Sequence, residues 1–160
     1  MSENSETLTA AQVMRTDVPT VTLEDSVGTV AALMVSSGSA GIVVVEGGNL
    51  HGIITEADLI GREAEISMPS ETNYFDATIV SDGGTPFAKD IRRVTASTAK
   101  ELMTSPIYTI RDSATMQQVA TLMVDHQINS VPVIDDTNAL VGIVNRAELV
   151  KVIARMENQG

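Results

Sequence analysis

Thr55-Glu56-Ala57-Asp58 has the residue types and spacing to hold a phosphorylated sugar. Gly52-Ile53-Ile54 before it reads as a strand, and a helix is expected to start at Thr55. The first turn of a helix offers unpaired amides and the positive end of the macrodipole, which together attract phosphate. The Thr55 hydroxyl adds a donor, and Asp58, one turn on, can accept from both hydroxyls of a ribose. The same spacing also serves a purely structural purpose. Thr-x-x-Asp ahead of Leu59-Ile60 is a capping box that needs no ligand, and the residues fit both readings. Later in the chain, Gly142-Ile143-Val144 leads into Asn145-Arg146-Ala147-Glu148. Asn caps as well as Thr, and Glu at the third helical position suits a box even better. Glu148 is one methylene longer than Asp and would push a ribose outward. Asn145 can donate to a phosphate and Arg146 can reach one, so this second junction is weakened as a binding site, and the two are expected to be unequal.

The two junctions belong to a tandem repeat. Thr9-Ala10-Ala11-Gln12-Val13-Met14 returns as Thr98-Ala99-Lys100-Glu101-Leu102-Met103, and Val30-Ala31-Ala32-Leu33-Met34-Val35 returns as Val119-Ala120-Thr121-Leu122-Met123-Val124. The register holds without a gap through Val43-Val44-Val45 against Pro132-Val133-Ile134, takes one extra residue in the second copy, and resumes at Gly52 and Gly142. A repeat of this size predicts a pseudo-two-fold molecule with ligand clefts between its halves.

Each copy must position its junction with the same elements. Thr9-x-x-Gln12 and Thr98-x-x-Glu101 read as capping boxes that open a short helix. Extended segments follow at 18–22 and 107–111. An amphipathic helix then carries Val27, Val30 and Met34, or Met116, Val119 and Met123, at helical period, capped by Ser26 or by Thr115-x-x-Gln118. Two strands come next, Gly41 to Val45 and His51 to Ile54, joined by the hairpin signal Glu46-Gly47-Gly48-Asn49, with Asp135-Asp136-Thr137-Asn138-Ala139 as its counterpart. A closing helix completes the order β-α-β-β-α, twice, an α/β (α+β) fold. The expected organisation is residues 9–60, an insert at 61–97, and residues 98–156. Within the insert, Tyr74 to Val80 suits a strand and Phe87 to Val94 a helix.

Met103-Thr104-Ser105-Pro106, Ser130-Val131-Pro132-Val133-Ile134-Asp135 and Gly52-Ile53-Ile54-Thr55-x-x-Asp58-Leu59, in this order and duplicated, resemble the cystathionine β-synthase (CBS) domain. Tandem pairs of it are called Bateman modules, and the inter-repeat insert resembles those of some stand-alone prokaryotic members. The resemblance implies two clefts that bind AMP, ADP, ATP or S-adenosylmethionine, with no catalysis and no metal requirement. Carried over residue by residue, it implies a first site of Thr16, Val18, Pro19, Gly41, Ile42, Thr55 and Asp58, with Asn129 and Ser130 near the phosphate. The weaker second site would comprise Ser105, Ile107, Tyr108, Val131, Pro132, Asn145, Arg146 and Glu148, with Ala40 opposite. Ile42 and Val131 also suit plain core packing, and Tyr108 suits either a base or the surface. The resemblance further implies a homodimer that signals to a protein effector. The sequence agrees, because Ala31, Leu33 and Val35, and Ala120, Leu122 and Val124, make the amphipathic helices apolar beyond one stripe. The insert, with Phe75 and Phe87, is the competing cover for that face.

Composition narrows the remaining classes. Hydrophobic residues make up 43% of the 160 and aromatics 2%, so the core is aliphatic. No stretch approaches the ~18 apolar residues of a membrane span, and the polar start Met1-Ser2-Glu3-Asn4 is unlike a signal peptide. Zero Cys fits the cytoplasm. A net charge of −11 opposes nucleic-acid binding, which needs phosphate neutralisation. His51 and His126 lack partners at metal-ligand or triad spacing, and Gly47-Gly48 and Gly83-Gly84 lack the strand-to-helix setting of a phosphate loop.

Overall fold

A computed structural model describes residues 8–63 and 97–158. The strand expected at Tyr74 to Val80, the helix at Phe87 to Val94, and the cover from Phe75 and Phe87 lie outside these residues. The first repeat contains α1 (Ala10–Val13), β1 (Thr20–Val21), α2 (Val27–Ser37), β2 (Gly41–Glu46), β3 (Asn49–Thr55) and α3 (Glu56–Glu63). The second contains α4 (Ala99–Leu102), β4 (Ile110–Arg111), α5 (Met116–His126), β5 (Ser130–Ile134), β6 (Leu140–Asn145) and α6 (Arg146–Asn158). Each repeat forms a three-stranded sheet, β1-β2-β3 or β4-β5-β6, in which the first pair is parallel and the second antiparallel. The architecture is the mixed α/β repeat pair that the sequence implies.

Local chemistry explains the elements. Ser26 accepts from the Thr29 N–H at 3.1 Å to start α2, and Gly38 ends it at φ 67°. In α5 the box is complete: the Gln118 N–H donates to Thr115 Oγ1 at 3.1 Å, and the Thr115 N–H donates to Gln118 Oε1 at 2.9 Å. The box expected at Thr98 does not form. Its hydroxyl donates to Glu101 Oε1 at 3.1 Å, a carboxylate oxygen shared with the Ser97 hydroxyl. Gly47 and Gly48, at φ 57° and 82°, make the tight turn between β2 and β3, a conformation that favours glycine at both positions.

The core has three parts. Val27, Val30 and Met34 of α2 cover Ile42, Val44 and Ile54 of the first sheet, and Met116, Val119 and Met123 of α5 cover Val131, Val133 and Val144 of the second. Alternation along the strands turns Val43, Ile53 and Ile143 to the other face, where a third cluster joins the two repeats. Each buried Val or Ile contributes roughly 1.5–3 kcal/mol, so the joint is held by the same force as the repeats themselves.

The opening helices cross over. Ala10 and Val13 pack in the second repeat's core, and Ala99 and Leu102 in the first's. Main-chain bonds fix the exchange, with the Ala10 N–H to the Ala114 carbonyl at 2.7 Å and the Ala99 N–H to the Asp25 carbonyl at 2.8 Å. Beyond these helices the chain pairs with the partner repeat's last strand, Arg15 with Ile143 and Thr104 with Ile53. Gly52 and Gly142 make room: a Cβ on Gly52 would lie 2.7 Å from both Met103 Sδ and the Thr104 carbonyl oxygen.

Candidate functional site

Four strand ends converge where the repeats meet. Gly41 pairs with Thr55 and Ser130 with Asn145, and a Cβ on Gly41 would come within 2.8 Å of Ser130 Oγ. Each junction then enters a helix whose first amide is already bonded, Glu56 to the Ala40 carbonyl at 3.2 Å and Arg146 to the Asn129 carbonyl at 2.8 Å.

At the first junction, Asp58 Oδ2 accepts from the Thr55 N–H at 2.9 Å and from the Thr55 hydroxyl at 3.2 Å. Asp58 is buried, only 5% exposed, whereas Thr55 is half-buried. The geometry is that of a cap, with the carboxylate reaching back one turn. A ligand at this place must share or displace those bonds. Glu56 and Asp58 also place two carboxylates in the first turn, which suits the helix dipole but opposes a phosphate.

The second junction is built differently. The Asn145 N–H donates to Glu148 Oε2 at 3.0 Å, repeating the backbone cap. Its side chain turns inward instead: Nδ2 donates to Ser39 Oγ at 3.1 Å and Oδ1 accepts from the Ser130 hydroxyl at 2.7 Å. Arg146 is exposed and Glu148 half-buried.

Thr104 pairs with Ile53 and Arg15 with Ile143, and both bridges are antiparallel, so Ser105 follows the first strand back toward Gly52, away from Thr55, and Thr16 follows the second back toward Gly142, away from Asn145. The sequence reading groups each loop with its own repeat's junction; β1 runs parallel to β2 and β4 to β5, which leads Val18 toward the Gly41 end that pairs with Thr55 and Ile107 toward the Ser130 end that pairs with Asn145. The exchange of α1 and α4 is invisible in a linear alignment of the copies. Glu148 is near enough to raise the Arg15 pKa, although the larger cause is the Asp17 hydrogen bond, at 2.8 Å from Arg15 Nε. Arg15 Nη2 also donates to the Ser37 carbonyl at the end of α2, an anchor that sequence reasoning missed. Pro19 stays beside the first sheet, with its carbonyl accepting from the Val43 N–H at 3.1 Å.

Ile42, Val131 and Pro132 are fully buried, so their side chains are core and only their main chain is left to face a cleft. Ala40 is half-buried and Asn129 exposed. Tyr108 is 44% exposed and stacks on His126, with ring centroids 4.1 Å apart. Among the described residues no group of His, Cys, Asp and Glu is arranged to hold a metal ion, and no helix is long and apolar enough to cross a membrane.

The sequence pattern of the CBS domain matches residues 10–65 and 99–155. The chain belongs to the CBS domain family. It is 22% identical over 157 residues to the uncharacterized protein MJ1426 of Methanocaldococcus jannaschii, covering 94% of each chain. Some relatives are longer, and this chain spans 32% of one of them. Among solved structures, CBSX2 from Arabidopsis thaliana in complex with AMP is 23% identical, with a TM-score of 0.71 over 94% of this chain and 99% of that one. The CBS domain pair of protein MJ0100, in complex with 5′-methylthioadenosine and S-adenosyl-L-methionine, is 20% identical, with a TM-score of 0.66 over 92% and 96%. The CBS pair fold of this chain therefore recurs in proteins solved with adenosine-containing ligands.

Proposed function

We propose that this CBS pair is a non-catalytic regulatory module that binds one adenosine-containing nucleotide per chain, AMP, ADP, ATP or S-adenosylmethionine, and passes the occupancy to a protein effector. The observation that carries the reading is the first junction, where Thr55 ends β3 opposite Gly41 and Asp58 stands one turn into the helix that follows. The ribose hydroxyls take the place of the Thr55 donors at the Asp58 carboxylate, the Thr55 hydroxyl turns to the phosphate beside Asn129 and Ser130, and the base lies against the main chain of Gly41 and Ile42. No metal takes part. Affinity is modest, with Kd about 1 μM to 1 mM, because carboxylates flank the phosphate end and the net charge is −11. The cytoplasm, where such nucleotides are abundant, is the compartment that suits a chain with zero Cys.

The module acts as a homodimer. Val35 and Val124 occupy matching places on α2 and α5 and are 84% and 75% exposed. Beside Val124, a groove of about 330 Å³ lined by Ile110, Thr121 and Leu122 offers depth for a partner's side chains.

A second reading, an interaction module with vestigial clefts, is favoured by the inward-turned Asn145. Thermal shift against AMP, ADP, ATP and S-adenosylmethionine separates the two. A ligand that binds only the folded state, at 100 times its Kd, stabilises it by ~2.7 kcal/mol. A rise in melting temperature with one of the four supports the sensor, and no shift with any at millimolar concentration supports the interaction module.

A further inference from the structure

The joint between the repeats is mostly apolar, yet a buried chain of hydrogen bonds runs through it. Asn145 Nδ2 donates to Ser39 Oγ at 3.1 Å, the Ser39 hydroxyl donates to the Gly41 carbonyl at 2.8 Å, and the Ser130 hydroxyl donates to Asn145 Oδ1 at 2.7 Å. Ser39, Ser130 and Asn145 are 1%, 4% and 3% exposed. The chain has no pseudo-symmetric equivalent, because the matching positions hold Ile128, Gly41 and Thr55. Gly41 is itself part of the fit, since any Cβ there would strike Ser130.

Apolar contacts such as Val43 against Ile143 are non-directional and allow two packed layers to slide. A buried amide with a fixed partner at each end is directional, and leaving either partner unmade is costly. Its position matters as much as its strength. Asn145 sits at the second strand–helix junction, with its own N–H capped by Glu148, while Ser39 leads into β2 of the first repeat.

We infer that Asn145 is a positioning residue, a latch that ties the second repeat's junction to the entrance of the first repeat's β2, so that the two clefts move as one body. The polar side chain that faces Asp58 in the first repeat is, in the second, given over to the joint. The inference goes beyond nucleotide binding and stands whether or not a nucleotide binds.

The test is a double-mutant cycle on the full chain without ligand. Asn145→Thr installs the first repeat's residue, whose hydroxyl is too short to span both serines, and Ser39→Ala removes the partner across the joint. Ser39→Ala is expected to lower the folding equilibrium constant about 5- to 30-fold alone and several-fold less in the Asn145→Thr background, where only its bond to the Gly41 carbonyl is left to lose. Amide exchange at residues 39–43, on the opposite repeat, is expected to speed up about 10-fold in Asn145→Thr. If Asn145→Thr does not fold, Asn145→Ser, whose hydroxyl is likewise too short to span both serines, takes its place in both measurements with the same expectation. Additive effects in the cycle, or exchange changes confined to residues 129–148, overturn the latch.

Discussion

Replacing Asp58 by Asn and by Ala separates its structural work from its proposed ligand work. The carboxylate is 5% exposed and accepts two hydrogen bonds from Thr55, at 2.9 Å from the N–H and 3.2 Å from the hydroxyl. Asn keeps an oxygen for the Thr55 N–H but turns charge-assisted bonds into neutral ones of about half the strength, a loss of about 1 kcal/mol in stability. Ala leaves that N–H without its acceptor in a largely buried place and costs about 1–3 kcal/mol from this cause alone. In melting temperature this is a few degrees for Asn and more for Ala. Binding should show a different pattern. A ribose needs the charge, so both variants forfeit the charge-assisted part, about 1.5–3 kcal/mol, or about 10- to 150-fold in Kd. Calorimetry with AMP, at a temperature where both variants are folded, reads the second quantity, and thermal denaturation reads the first. Asp58→Asn binding AMP as tightly as the unaltered chain would refute the ribose assignment. So would 2′-deoxy-AMP binding as tightly as AMP.

Val124→Glu should split the proposed dimer while leaving the fold intact, because the side chain is 75% exposed in the single chain but would carry an unpaired charge into the proposed interface; light scattering that still gives twice the chain mass of 16.9 kDa would move the interface elsewhere. Gly52→Ala should destabilise by about 1–3 kcal/mol, since its Cβ would lie 2.7 Å from the Thr104 carbonyl oxygen, which is backbone and cannot swing away; an unchanged denaturation midpoint would count against the crossed packing. Asp135 holds the β5–β6 turn by accepting from the Thr137 hydroxyl at 2.6 Å and from the Ala139 N–H at 3.0 Å, and these bonds, with the hydroxyl first, keep its pKa below the ordinary 3.8. A depressed carboxyl stabilises the folded state above pH ~4 and loses that contribution as pH falls through its folded value. Thr137→Ala should therefore move the Asp135 carboxyl titration upward by NMR, and an unmoved titration would show that the hydroxyl is not the cause.

Much of the fold is written in the residues themselves. The positions at helical period in α2 and α5 are the ones buried, and the double glycine makes the turn it signals. What was illegible shares one cause. Ala10 and Val13, or Ala99 and Leu102, mark one apolar face on a short helix, but nothing in such a face says which repeat covers it. The exchange of these helices depends on the third dimension. Glu148 was legible as the acceptor for the Asn145 N–H, since capping is a local property, but the Asn145 side chain expected to cap turns inward instead. Its bond to Ser39 spans 106 residues and left no local signal. Tyr108 read as suited to a base or the surface; it is exposed, and it also stacks on His126, a contact no spacing rule covers.

The central claim is that an adenosine nucleotide occupies one of the two clefts in each chain, the one holding Thr55 and Asp58. Isothermal titration of the unaltered protein with AMP, followed by ADP, ATP and S-adenosylmethionine, tests it most directly. The account predicts saturable binding of at least one of these with a stoichiometry near one per chain and Kd between about 1 μM and 1 mM. Two equal sites per chain would contradict the inequality of the clefts, and no binding of any of the four would contradict the claim itself.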